Sequence, residues 1–156
     1  MPKFLVGRDV NFLRNIAREL VETVVQNTCV LYKVNLNETK VNIYGEALNK
    51  TWHKGVQLYV LIDKDADTAT YEGFGPEEQQ NITFKFDREH CRDANSYPEI
   101  GDIIFFDDSY YEIDNTNEIQ FVGGLPGTDE ERRNWSIVCS TFMVSKSNLN
   151  IEERIN

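Results

Sequence analysis

The sequence predicts a mainly β protein: an antiparallel β-sandwich or barrel with an N-terminal amphipathic helix. One segment near the start has helical periodicity, most later segments alternate apolar and polar residues, and turn-forming residues recur between them. The length of 156 residues indicates a single domain over 1–156. We expect a helix at 9–27, a β core at 29–144 and a polar C-terminal arm at 145–156.

The helix is predicted from a stripe of apolar residues at three- and four-residue steps. The stripe consists of Val10, Leu13, Ala17, Leu20, Val21, Val24 and Val25. The polar side of the helix carries Arg14, Arg18, Glu19 and Glu22. Asp9 is a suitable N-cap because its carboxylate can accept a free amide of the first turn, and Asn27 is a plausible end. We expect the stripe to pack against the sheet or against a neighbouring subunit.

The remaining segments read as short strands separated by turns. In the first half the predicted strands are 29–34, 56–62, 68–75 and 80–87, with a possible helical turn at 46–51. In the second half "DIIFF" (102–106), "YYEID" (110–114) and "EIQFVG" (118–123) form a predicted meander with turns at "DDS" and "NTN". A polar connection (125–134) then leads to a last strand at 135–144.

The formal charge of −10 disfavours adhesive binding of nucleic acid, because such a surface repels phosphate. It suits the wall of a passage through which DNA moves without sticking. Cys29, Cys91 and Cys139 are expected to be free, mostly buried thiols. No apolar run is long enough to cross a membrane or to form a signal-peptide core, so we expect synthesis in a cytoplasm and no membrane partner.

Catalytic and metal-binding patterns are weak. "DKDAD" (63–67) begins like a calcium loop, but Thr68 and Phe74 stand where that loop needs Gly and Glu. His53 and His90 lack further ligands at zinc-binding spacing. The acids of 99–108 coincide with turns and are read as structural. We therefore predict no enzyme, no catalytic residue, no cofactor and no metal.

Aromatic residues are more numerous than a small barrel needs for its interior. The pairs Phe105–Phe106 and Tyr110–Tyr111 put neighbouring rings on opposite faces of a strand. The candidate contacts with a subunit or partner are Phe105, Phe106, Tyr110, Tyr111, Trp52 and Trp135. Two alternatives stay open: a two-sided core with the helix over the second face, and a small carbohydrate- or ligand-binding module in which Trp52, Trp135 and the tyrosines stack on the ligand.

The run "YPEIGDIIFFDDSYYEI" resembles a signature of the neck proteins of tailed bacteriophages, and the similarity is to those of contractile-tailed phages. The matching residues are Pro98, Gly101, Asp102, Ile103, Ile104, Tyr111, Glu112, Ile113 and, further on, Val122. The order of other landmarks is also similar over 9–124: the helix, a strand ending near Tyr32, "LNETKVNIYGEALNK" and "EGFGPEEQQNITFKFDR".

The resemblance implies a structural virion protein of the neck, at the head–tail junction. Such proteins form a ring that closes the DNA-filled head, docks the tail and leaves a channel for DNA, without catalysis or cofactor. The implied partners are further copies in a six- or twelvefold ring, a portal or adaptor protein, a tail or tail-terminator protein, and double-stranded DNA that passes without specific binding. A tail-terminator role is the alternative within the virion. Our candidates for channel-facing acids are Asp63, Asp65, Asp67, Glu77 and Glu78, all in predicted loop tips.

Overall fold

The computed structural model describes residues 7–36, 40–41, 47–64, 68–72, 75–79, 81–118, 136–146 and 149–151. The helical elements are α1 (Gly7–Glu19), a π-helical extension (Leu20–Val25) and α2 (Arg88–Asp93). The strands are β1 (Thr28–Tyr32), β2 (Lys40–Val41), β3 (Ala47–Asn49), β4 (Thr51–Trp52), β5 (Val56–Lys64), β6 (Thr68–Glu72), β7 (Gly75–Gln79), β8 (Asn81–Asp87), β9 (Ile103–Phe106), β10 (Ser109–Asn117), β11 (Ser136–Val144) and β12 (Asn150–Ile151).

Six strands form a closed antiparallel barrel in the order β1-β5-β8-β11-β10-β9, with β9 returning to β1. This confirms the predicted fold class and selects the barrel over the sandwich. Closure leaves no free edge among these six strands, so their backbone polar groups are paired within the subunit. In the described residues, no helix is long and apolar enough to cross a membrane.

The barrel interior is filled by side chains that alternate along each strand. The buried cluster comprises Cys29, Leu31, Leu58, Val60, Ile82, Phe84, Phe86, Cys91, Ile104, Tyr111, Ile113, Ile137 and Cys139. The ring of Phe84 lies edge-on to those of Tyr111 and Phe106, with centroids 5.7 and 6.0 Å apart. All three cysteines are free and buried, as the sequence predicts.

Several predicted boundaries are wrong. The residues 47–52 form β3 and β4 instead of a helical turn. The tripeptide "NTN" (115–117) is no turn, because β10 continues through it and pairs with β11 after a bulge at Asp114. The short helix α2 was not predicted; it is capped by Asp87, whose Oδ2 accepts the amide of His90 at 2.9 Å. The predicted strand 118–123 lies, after Glu118, outside the described residues.

The "DDS" turn is confirmed as a tight hairpin between β9 and β10. Phe106 pairs with Ser109, and the two residues between them, Asp107 and Asp108, have φ of 50° and 59°. Two successive positive φ values are typical of the type I′ turn, whose twist matches that of the flanking strands. Aspartate tolerates this region better than most residues because its short polar side chain bonds locally.

Two smaller pieces of sheet lie outside the barrel. Strands β6 and β7 form a separate two-stranded hairpin, where the sequence predicted one strand and a turn. Strand β12, in the predicted C-terminal arm, pairs in parallel with β4. Residues 149–151 therefore return to the barrel and form one side of a surface groove described below.

Candidate interaction surfaces

The helix α1 and its π-helical extension expose a row of large apolar residues. Phe12 is 64% exposed and Val24 72%, and the other large apolar residues of the same face are also exposed. We call the set the helix stripe: Phe12, Leu13, Ile16, Leu20 and Val24. Of the apolar residues predicted to pack against the sheet or a neighbouring subunit, Val21 is buried within the subunit, whereas Leu13, Leu20 and Val24 are exposed. The subunit's own sheet does not cover these three, which leaves a neighbouring subunit as the other expected partner.

Ion pairs hold the opposite face of α1 against the short helix α2. Arg18 donates to Glu22 at 2.8 Å and to Asp93 of α2 at 3.1 Å. Its hydrogen bond with Glu22 is the main reason that the pKa of Arg18 is raised. Arg14, whose side chain is only 14% exposed, lies 3.4 Å from Glu89 of α2. The polar face is therefore the anchored one, which leaves the apolar face outward.

His90 belongs to this anchor. Its Nδ1 lies 3.2 Å from Glu22, and its Nε2 accepts the amide of Tyr59 on β5 at 3.4 Å. Tyr59 also stacks on it in a tilted arrangement, with ring centroids 5.4 Å apart. His90 thus links the end of the helical segment to strand β5 of the barrel, and we assign it a structural role.

A second surface lies on the outer wall of the barrel. Gln57, Val30, Phe105 and Tyr110 stand side by side in a row across β5, β1, β9 and β10. The rings of Phe105 and Tyr110 are 4.8 Å apart. This row is the floor of a groove of about 560 Å³, which we call the outer groove. It is lined by Val30, Tyr32, Lys54, Gly55, Gln57, Phe105, Tyr110, Lys146, Leu149 and Ile151.

Gly55 allows the groove wall to approach its floor. A Cβ at this position would lie 2.4 Å from a methyl of Val30 and 2.8 Å from the ring of Tyr32. These distances are far below van der Waals contact, so any other residue would displace the two side chains.

The predicted aromatic contacts separate into two groups. Phe105 and Tyr110 line the outer groove, as expected for half-buried rings on the outer face. Phe106 packs partly against the core, while Tyr111 (2% exposed) and Trp52 (3%) are buried within the subunit. The expectation that Tyr111 and Trp52 contact a neighbour needs correcting, because neither offers a surface.

Trp52 is buried for a local reason. Its Nε1 donates to the carbonyl of Gly101 at 3.1 Å, which ties β4 to the turn before β9. A tryptophan in that position cannot serve as a stacking platform for a sugar. Trp135, the second predicted platform, lies outside the described residues.

The segment "PEIGD" is organised around the carboxylate of Asp102, which is 2% exposed. Its Oδ1 accepts the amide of Val34 at 2.9 Å, and its Oδ2 accepts the amide of Glu99 at 2.8 Å. Lys33 lies 2.9 Å from Oδ2 and 2.7 Å from Glu99. Burial lowers the pKa of Lys33, but the hydrogen bonds to these two acids outweigh it and the pKa is raised. Gly101 has φ of +91°, which favours glycine.

The predicted channel acids are only partly described. Asp63 is exposed at the end of β5 and pairs with Lys85 at 3.1 Å. Glu77 and Glu78 belong to β7, while Asp65 and Asp67 lie outside the described residues. Among the described residues, no three His, Cys, Asp or Glu side chains come together as a metal site would require.

No protein-family model matches this sequence, and a search of curated proteins finds no match. Among solved structures, a chain from the "Virion of native gene transfer agent (GTA) particle" is similar, with a TM-score of 0.50 and 12% identity. The alignment covers 76% of this chain and 94% of that chain. At this identity the likeness shows the fold alone.

Proposed function

We propose that this chain is a structural protein of a phage virion, located in the neck as one subunit of a homo-oligomeric ring of six or twelve copies. The helix stripe carries the proposal. It exposes five large apolar side chains on a helical segment that ion pairs fix to α2. Contiguous apolar surface of this kind typically marks a contact with another protein.

Two further observations support a virion role. The similar chain comes from a gene transfer agent virion, and the alignment covers nearly all of that chain. The segment with Pro98, Gly101 and Asp102 resembles the neck-protein signature, and it folds here into a buried, hydrogen-bonded turn beside the barrel.

Within the neck, the ring closes the DNA-filled head and docks the tail while it leaves a channel for DNA. One face would contact a portal or adaptor protein and the other a tail or tail-terminator protein. The charge of −10 per copy keeps double-stranded DNA from adhering to the channel wall. Asp63, Asp65, Asp67, Glu77 and Glu78 are our candidates for the channel lining. The chain acts without catalysis or a cofactor; it is made in the host cytoplasm and ends in the virion.

Microscopy of particles tests this proposal. A tag is added to the chain in the genome that encodes it, and purified particles are labelled with a gold-conjugated antibody. Label at the junction of head and tail is the expected result. Label at the far end of the head or at the tail tip, or particles without the tagged chain, would contradict it. Label beyond the junction, at the top of the tail tube, would select the tail-terminator alternative.

The outer groove supports one alternative function, that of a small ligand-binding module. Its volume and its paired rings, Phe105 and Tyr110, suit a small amphipathic molecule. Two experiments distinguish the ligand-binding module from the virion protein: a titration with a panel of sugars monitored by intrinsic fluorescence, and a glycan array. Saturable binding of a free sugar that Tyr110→Ser abolishes would favour the module over the virion role.

A further inference from the structure

We propose that the helix stripe of one copy binds in the outer groove of the adjacent copy, and that this contact joins neighbouring subunits. The inference deepens the proposed ring, since it rests on self-association and names the two surfaces that meet. It commits the groove to one occupant, a second copy of this chain.

The two surfaces occupy different parts of the barrel wall and share only β5. A small cavity beneath the helix is lined by Ala17, Leu20 and Val21 of the helical segment, by Leu61 of β5 and by Phe86 of β8. The floor of the outer groove runs instead across β5, β1, β9 and β10. In the order β1-β5-β8-β11-β10-β9, the helix therefore lies towards β8 and the groove towards β1 and β9. None of the described residues that line the groove belongs to the helix, so the helix does not fill the groove of its own subunit.

Such an arrangement dictates the symmetry of the contact. When two different patches of the same chain bind each other, the contact is head-to-tail, and it closes into a ring when the rotation between copies allows it. A contact between two helix stripes would instead be two-fold and would stop at a dimer. The separation of stripe and groove around the barrel therefore fits a ring subunit.

The chemistry of the two surfaces is complementary. The groove floor is apolar and aromatic, and the stripe presents side chains four residues apart, the spacing with which an amphipathic helix anchors in a groove. The groove is flanked by two exposed lysines, Lys54 and Lys146, and none of the described residues that line it is acidic.

The helix supplies the opposite charge. Glu19 follows Ile16 by three residues, so this exposed acid flanks the stripe. Asp9, three residues before Phe12, lies 3.7 Å from Arg8 and therefore adds less negative charge. In a chain with a net charge of −10, two lysines beside an apolar groove are a local exception. The positive charge of these two lysines is complementary to the acid beside the helix stripe of another copy.

Thiol cross-linking tests the contact. The three native cysteines are buried, so the reagent reacts only with cysteines introduced at the surface. Ile16→Cys marks the stripe and Gln57→Cys the groove; both residues are exposed. Each single variant and the double variant are treated with a short bismaleimide, as concentrated purified protein and as tagged particles. The double variant is expected to give a ladder of products beyond the dimer, and each single variant none.

Two results would overturn the contact. Dimers from Ile16→Cys alone would show that stripe meets stripe, and a double variant without a ladder would show that stripe and groove do not meet. If tagged chain is found at the neck but no ladder forms, the contact fails and the proposed function stands. If the ladder forms in purified protein while particles lack the chain, the proposed function fails and the contact stands.

Surface variants provide a second measurement. In the double-cysteine background, Phe12→Ser should lower the ladder yield at least about tenfold, since burial of an aromatic ring is worth more than the 1.4 kcal/mol of a tenfold change. Ile100→Ser is the matched control, because Ile100 is as exposed as Phe12 at 64% and lies in neither surface. Equal losses from both variants would contradict the inference.

Charge exchange separates a specific contact from general stickiness. Lys54→Glu with Lys146→Glu should lower the ladder yield, and Glu19→Lys added to them should restore part of it. A yield that does not respond to either change would count against the predicted pairing.

Discussion

Asp102 joins three parts of the chain through one buried carboxylate. It accepts the amides of Val34 and Glu99 and contacts Lys33, while its own carbonyl accepts the amide of Ile113 on β10 at 3.0 Å. The sequence placed this residue among the structural acids of the turns, but it gave no indication of Val34 and Lys33 as partners, because these lie more than sixty residues away along the chain. Long-range hydrogen bonds of this kind have no periodic pattern to reveal them.

We predict that Asp102→Ala lowers the free energy of unfolding by about 2–4 kcal/mol, because two amides lose their acceptor in a buried setting. Urea denaturation followed by circular dichroism measures it. Glu99→Ala is the control: it removes a side chain that is 74% exposed, and the expected cost is below about 1 kcal/mol. Equal losses in the two variants would refute the assignment of Asp102 as the centre of the turn.

The buried cysteines make a second prediction at this scale. Burial raises the pKa of each of the three thiols from 9.0 to about 12. Native protein should therefore leave a thiol reagent at pH 8 unreacted, and three thiols should react in urea. Fast labelling of any thiol in native protein would contradict this.

The same shift has a consequence for stability. Between pH 9 and about 12 the folded chain keeps protons that the unfolded chain releases, so the free energy of unfolding should fall as the pH rises through this window. The urea concentration at the midpoint of unfolding should decline from pH 8 to pH 11. A midpoint that rises with pH would contradict the raised pKa of the buried thiols.

The elements were predictable to different degrees. Strands such as β8 and β11 were identified because one face is buried in the barrel, which forces clean alternation in the sequence. The helix α2 was missed because a helix of six residues, capped by Asp87, carries too few periodic positions to register. The apolar stripe of α1 was recognised in part, without Phe12 and Ile16, and its partner was left open between the sheet and a neighbouring subunit, since periodicity reports that a face is apolar and not what covers it.

The attachment of α1 makes a prediction at the scale of elements. Because Arg18 links the helix to Glu22 and Asp93, Arg18→Ala should speed hydrogen exchange of the amides in Gly7–Glu19 and leave the barrel strands unchanged. High salt should act in the same direction. Arg8→Ala, whose side chain is 92% exposed, is the control and should change nothing. An unaltered exchange rate in Arg18→Ala would mean that other contacts hold the helix.

At the scale of the whole molecule, the proposed assembly rests on the distribution of charge and apolar surface. The six barrel strands pair all their edges, while among the described residues the helix stripe is exposed and the outer groove is open. The fold class followed from the sequence, but the groove did not. It is formed by a row across four strands together with Lys146, Leu149 and Ile151, and these residues come together only once the barrel has closed.

The charge gives a prediction at the same scale. The purified protein should not shift linear duplex DNA in a gel at about 0.15 M salt, because its 26 acidic side chains outnumber its 16 Lys and Arg side chains and repel the phosphates. A basic DNA-binding protein of similar size serves as the positive control. A shift that disappears with added salt would show that a cationic surface binds DNA, and would contradict the prediction.

The most direct test of the central claim is a reconstruction of the particle neck at a resolution that shows side chains. We expect a ring of this chain at the head–tail junction, with Phe12 and Ile16 of each copy buried against Phe105 and Tyr110 of the next. A neck without this chain, or a ring in which the helix stripe faces solvent, would contradict the account.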